Sequence, residues 1–222
     1  MSTLKKSPIT ILFTVCISLV FLSMQMLHPG NAESPYVIYR FGGLIGSVLK
    51  ENMSHFWRLF TPIFVHIGWE HFLFNTVTLF FLGQLSEKLY GHIKFFVLFL
   101  LSGLMGNVFV LLLTPDVIVA GASTSIFGLF AAIVVTGYFS KNNNLRNLSN
   151  SYRTLIIVNL IFNLFTPNVS VVGHLGGLIG GLLLGITFSP KKETNLSLFP
   201  KIISFIIYFF ILISLTTFAI TH

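Results

Sequence analysis

The chain is divided into apolar stretches about as long as a lipid bilayer is thick. No charged side chain occurs from Ile9 to Leu27, and comparable runs recur at roughly 70–86, 93–113, 123–140, 154–166, 171–188 and 202–220. About twenty apolar residues in a helix cross ~30 Å of hydrocarbon, where a helix satisfies its own backbone hydrogen bonds. Seven such runs in 222 residues predict an all-α polytopic membrane helical bundle forming one compact domain. Several runs are short for a full span, which predicts tilted or partly sunken helices. With 54% of residues hydrophobic and 9% charged, a soluble domain is excluded. Lys5 and Lys6 before the first run resemble the basic end of a signal peptide. The run has the length of a span, however, and no convincing small-residue cleavage site follows, so a retained helix is expected.

Charge placement sets an expected orientation. With the N-terminus inside, ten basic residues face the cytoplasm (Lys5, Lys6, Lys88, Lys94, Lys141, Arg146, Arg153, Lys191, Lys192 and Lys201) and three face outward (Arg40, Lys50 and Arg58). That is the positive-inside pattern. It puts the long 28–65 connection, the 114–122 connection and the 167–170 connection on the outer side of a cell membrane. The formal charge of +7 comes from residues scattered over short loops, so no nucleic-acid partner is expected. The single cysteine, Cys16, excludes an intrachain disulfide and a cysteine metal cluster, and no cofactor or metal is indicated.

Polar groups in the apolar runs carry the functional signal. His66, His71, Asn75, Ser123, Thr124, Ser125 and His174 all fall near the expected outer ends of spans. Each alone is explained by interhelical hydrogen bonding, worth about 0.6–2 kcal/mol. Together they suggest chemistry. In HFLFN, His71 and Asn75 are four apart and share a helical face. In HLGGLIGG, Gly177 and Gly181 form a GxxxG face with His174 at its outer end, which allows close approach of a neighbouring helix. A serine beside that histidine acquires a general base. The first turn of a helix beginning at Ser123 offers free N–H groups, and His71 with Asn75 adds side-chain donors, an oxyanion hole in outline. Neither Glu70 nor Asp116, the acidic residues expected on the same side, lies in an apolar helix beside the histidine, so a Ser/His dyad is the economical reading. A channel, transporter or bis-histidine haem protein would use His71 and His174 differently, but inverted repeats and a line of carboxylates are missing.

These residues resemble the rhomboid family of intramembrane serine proteases. The family's Trp-Arg pair matches Trp57-Arg58, its His, His and Asn match His66, His71 and Asn75, and its Glu and Gly after the second span match Glu87 and Gly91. Its Gly-x-Ser-Gly motif falls on Gly121 to Thr124, and its His-x-x-Gly-x-x-x-Gly on His174, Gly177 and Gly181. The resemblance implies a six-helix rhomboid-like catalytic core over residues 1–190, with 191–222 a linker and a C-terminal seventh transmembrane helix. It implies Ser123 as nucleophile and His174 as base, with His71, Asn75 and the Ser123 backbone N–H binding the oxyanion. Trp57, Arg58 and Glu87 become structural elements, and His66 either orders the outer loop or meets substrate. The implied partners are transmembrane protein substrates and the lipid bilayer, with the active site facing the outer side. Two positions depart from the pattern: Thr124 replaces the usual Gly, and Phe127 stands where some members have Tyr on the histidine. A catalytically inactive relative that binds transmembrane clients is the alternative.

Overall fold

The computed structural model describes residues 7–166 and 169–222. Seven long helices form among them: α1 (Pro8–Leu27), α4 (Gly68–Tyr90), α5 (His92–Leu113), α6 (Ser123–Tyr138), α7 (Asn143–Phe165), α8 (Val171–Phe188) and α9 (Leu198–Thr221). Two short helices, α2 (Pro35–Arg40) and α3 (Gly46–Glu51), lie in the long first connection together with two 3-10 segments, Met53–Leu59 and Thr61–Phe64. That connection is therefore built, not loose. Arg58, itself buried, donates from Nη1 to the carbonyls of Tyr39 and Gly43 and lies over the rings of Tyr39 and Trp57, with its carbon 3.7 and 4.3 Å from their centroids.

Four helices (α1, α5, α8 and α9) are long and apolar enough to cross a membrane, and α6 is a shorter apolar helix. The span expected at 154–166 is the C-terminal part of a longer helix. α7 begins at Asn143, where the Asn142 side chain accepts from Asn144 N at 2.9 Å, and its first half is polar. α9 begins at Leu198 rather than near 202, and α4 extends past 86 to Tyr90.

The bundle is tightest where glycine lets backbones meet. α6 packs against α8 and both pack on α5. A Cβ on Gly177 would fall on the Thr124 carbonyl, and one on Gly181 on the Gly128 backbone. No other residue fits at this crossing without displacing a helix. Elsewhere, aromatic packing and buried hydrogen bonds hold the helices. Phe13, Phe95 and Phe99 cluster between α1 and α5. The Tyr90 hydroxyl joins α4 to α6 by donating to the Ala132 carbonyl at 2.7 Å, and Tyr208 on α9 donates to Leu101 on α5 at 2.8 Å.

Glu87 fastens α1 to the far end of α4. Its fully buried carboxylate accepts from Ile9 N (3.0 Å), Thr10 N (2.8 Å) and Thr10 Oγ1 (2.7 Å), and also meets His92 Nδ1. Ser7 gives α1 no side-chain cap, so Glu87 satisfies the free amides of its first turn from another helix and complements the helix dipole.

Candidate active site

The α6–α8 crossing brings the beginnings of both helices together. There, His174 Nε2 lies 2.8 Å from Ser123 Oγ. The imidazole is buried against the ring of Phe127, one turn further along α6, with centroids 4.2 Å apart and 12° between planes. Its other nitrogen, Nδ1, lies 2.8 Å from the amide nitrogen Nδ2 of Asn163 on α7. Ser123, His174 and Asn163 thus meet from three helices, at a position set by glycines.

The turn before Ser123 is equally constrained. Gly121 has φ +128°, a conformation L side chains rarely adopt, and a Cβ there would meet the His71 ring at 2.5 Å from Cε1. Its N–H donates to the Pro62 carbonyl at 2.8 Å. His66 is fully buried, its Nε2 accepts from Ala122 N at 3.2 Å, and its ring centroid lies 5.2 Å from that of His71. Burial, reinforced by His71, pushes His66 down to about 3, so the ring is neutral and keeps a nitrogen free to accept. His66 therefore holds the 121–122 turn from behind. Ala122 leaves α6 without a side-chain cap, so the first-turn amides of Ser123, Thr124 and Ser125 have no partner within the helix. Such a terminus attracts developing negative charge.

The remaining expected residues divide. His71 lines the turn through Gly121. Asn75 is buried one turn below it, but its amide nitrogen donates to the His71 carbonyl of the same helix at 2.8 Å. Trp57 and Arg58 belong to the first connection and Glu87 to the opposite end of α4, so neither group joins Ser123. Thr124 lies within α6, where the backbone makes no demand for glycine, and its side chain packs against Gly106 and Gly173. Ser125 is buried against Gly103 of α5 and caps nothing. Asn163 was not singled out by its sequence. The available signal was an amide within the apolar segment IFNLF. A cleft of about 540 Å³ between α6, α7 and α8 is lined by Arg146, Ser149, Asn150, Arg153 and mostly apolar side chains, and includes neither Ser123 nor His174. No cluster of potential metal ligands occurs among the described residues.

Comparison with known proteins gives this arrangement its context. The Rhomboid domain family model matches residues 53–191, which contain Ser123, His174 and the turn that supports them. The chain belongs to the rhomboid family. It is 32% identical to the rhomboid protease GluP of Bacillus subtilis over 84% of this chain and 36% of that protein. It is 33% identical to the putative rhomboid protease YdcA of the same organism, over 63% of this chain and 71% of YdcA. A third relative, inactive RHOMBOID-like protein 8 of Arabidopsis thaliana, is 30% identical over 68% of this chain and 43% of its own length. The chain thus spans only about a third of GluP. Its apolar helices and family make it a multi-pass membrane protein.

Proposed function

We propose that the chain is an intramembrane serine endopeptidase that cleaves transmembrane segments of other membrane proteins by a Ser/His dyad. The observation that carries this reading is the 2.8 Å contact of Ser123 Oγ with His174 Nε2. In the first step Oγ attacks the scissile carbonyl carbon while Nε2 takes its proton. The oxyanion forms against the Ser123 N–H at the uncapped start of α6, with His71 and Asn75 as side-chain donors. Collapse of the tetrahedral intermediate breaks the C–N bond, and His174 returns the proton to the leaving amine. Water, activated by the same nitrogen, then hydrolyses the acyl-enzyme. No cofactor enters. Residues 1–190 would form the catalytic core and 191–222 a linker and added helix. The distribution of Lys and Arg supports a cytoplasmic N-terminus, with Ser123 near the outer face of the cell membrane. The hydrolytic step requires a polar cavity that admits water to Ser123.

One observation bears on the inactive alternative: Asn75 Nδ2 already gives one of its two N–H groups to the His71 carbonyl, which leaves a single donor for an oxyanion. Purified protein in liposomes, given a single-span substrate, separates the two readings. Cleavage that disappears in Ser123→Ala and in His174→Ala supports the protease, and full cleavage by either variant refutes the dyad. A fluorophosphonate that fails to label Ser123 in protein that still binds the substrate supports the silent client binder.

A further inference from the structure

A neutral imidazole carries one proton, so the two contacts of His174 are linked. If Nδ1 accepts from the amide N–H of Asn163, the proton sits on Nε2. His174 then donates to Ser123 and has no free nitrogen to take its proton. If Nδ1 donates to the side-chain oxygen of Asn163, Nε2 is bare and faces Oγ as a base. The structure places Nδ2 of Asn163 at this contact, and a half-turn of the amide exchanges it with the oxygen, so one position of Asn163 serves both arrangements. Proton transfer distinguishes them. Imidazolium bears N–H on both nitrogens, and only an oxygen at Asn163 can receive the one on Nδ1.

We propose that Asn163 is a positioning residue whose side-chain oxygen accepts from the Nδ1–H of His174, fixing the tautomer in which Nε2 faces Ser123. This rests on the Ser/His reading above. It supplies the part that a carboxylate plays in a Ser-His-Asp site, without a buried charge. Among the described residues no Asp or Glu is hydrogen-bonded to His174. Asn163 is half-buried, while its neighbours Ile161, Phe162, Leu164 and Phe165 are exposed and apolar. An amide at that depth stays unsatisfied unless it meets a polar partner, and His174 is the partner it meets. Three contacts then fix the imidazole: Ser123 at one edge, Asn163 at the other and Phe127 on its face. The titratable side chains beside this site are His71 on α4 and His66 before it, both against the 121–122 turn.

The test compares the full chain with Asn163→Asp and Asn163→Leu on a single-span substrate in liposomes, measuring kcat and KM across pH. Asn163→Leu is expected to lower kcat by about 10- to 100-fold, the size of effect that losing a histidine's outer hydrogen-bond partner has at metal sites, with KM nearly unchanged. Asn163→Asp is expected to remain active and to move the acidic limb of the pH–rate profile upward, because a carboxylate stabilises the imidazolium. A residue that only packed α7 would change the rate and leave the limb in place. An active Asn163→Asp protein with an unmoved limb, or an Asn163→Leu protein with wild-type kcat, overturns the inference. ¹⁵N spectra of histidine-labelled protein, assigned with His174→Ala, read the tautomer without turnover. Nδ1–H in the wild type supports the inference and Nε2–H overturns it. Failure of the protease reading looks different, since wild-type protein then shows no Ser123-dependent cleavage at all.

Discussion

The ring of Phe127 lies nearly parallel to the imidazole of His174, with centroids 4.2 Å apart. His174 is anchored in the first turn of α8 and Phe127 one turn into α6, so the imidazole can neither tilt away from Ser123 nor slide along it without losing this face. Aromatic contacts of this kind contribute about 0.5–1.5 kcal/mol. Phe127→Leu should therefore lower kcat about three- to tenfold and leave KM nearly unchanged, whereas Phe127→Tyr should stay close to wild type. Steady-state cleavage of one substrate by the three proteins checks this.

Gly181 predicts a larger effect from a smaller change. Its Cβ position coincides with the Gly128 backbone, so an alanine must push α8 away from α6. Overpacking of this kind costs about 1–3 kcal/mol. Displacement of reacting groups by about 1 Å can cost about 100-fold in rate. Gly181→Ala should lower both thermal stability and kcat, and Gly177→Ala should do the same through Thr124. A variant with unchanged melting and turnover would show that the crossing relaxes without cost.

Thr124 stands where the family pattern has glycine, yet its side chain fills space left by Gly106 and Gly173. Thr124→Gly should lose about 1–2 kcal/mol, from helix propensity and the buried methyl together. Turnover should change less than about threefold, because the Ser123–His174 contact does not involve that side chain. Calorimetry in detergent and a cleavage assay measure the two effects separately. A large gain in kcat would show instead that Thr124 restrains the oxyanion region.

The sequence made the long helices legible because hydrocarbon tolerates no long polar interruption, and each of the seven apolar runs lies in a long helix, four of them long and apolar enough to cross a membrane. α7 was misjudged at its start because the segment from Asn143 to Arg153 is polar, and hydropathy does not distinguish a helix leaving the hydrocarbon from a loop. α2 and α3 have six residues each, too few to display a period. Within the candidate site, the approach of Ser123 to His174 was readable from the glycines around them. Asn163 was not, because it meets His174 across a connection between helices and depends on how α7 leans on the bundle.

Glu87 should act on stability and leave chemistry alone. Its carboxylate accepts both free amides at the start of α1 and the Thr10 hydroxyl. Glu87→Ala strands those buried donors at a cost of about 2–4 kcal/mol, whereas Glu87→Gln keeps an acceptor and costs less. Melting in detergent should therefore rank wild type, Glu87→Gln and Glu87→Ala in falling order. Fluorophosphonate labelling of Ser123 well below the melting point should be equal in all three. Loss of labelling in folded Glu87→Gln would place this residue in the chemistry.

His66 predicts an acid-sensitive fold. Its folded-state pKa is pushed down to about 3 from an ordinary 6.5, by burial first and His71 second. The unfolded chain therefore binds more protons than the folded one between those two values, so stability increases with pH across that window. The contribution is complete above about 6.5 and is lost as pH falls towards 3, amounting to a few kcal/mol over the range. Protonation also removes the acceptor for the Ala122 N–H, the bond that holds the turn before Ser123. His66→Gln keeps an acceptor without the titration. Melting temperatures between pH 7 and pH 4 should fall more steeply in the wild type than in His66→Gln, and parallel curves would show that the acid sensitivity arises elsewhere.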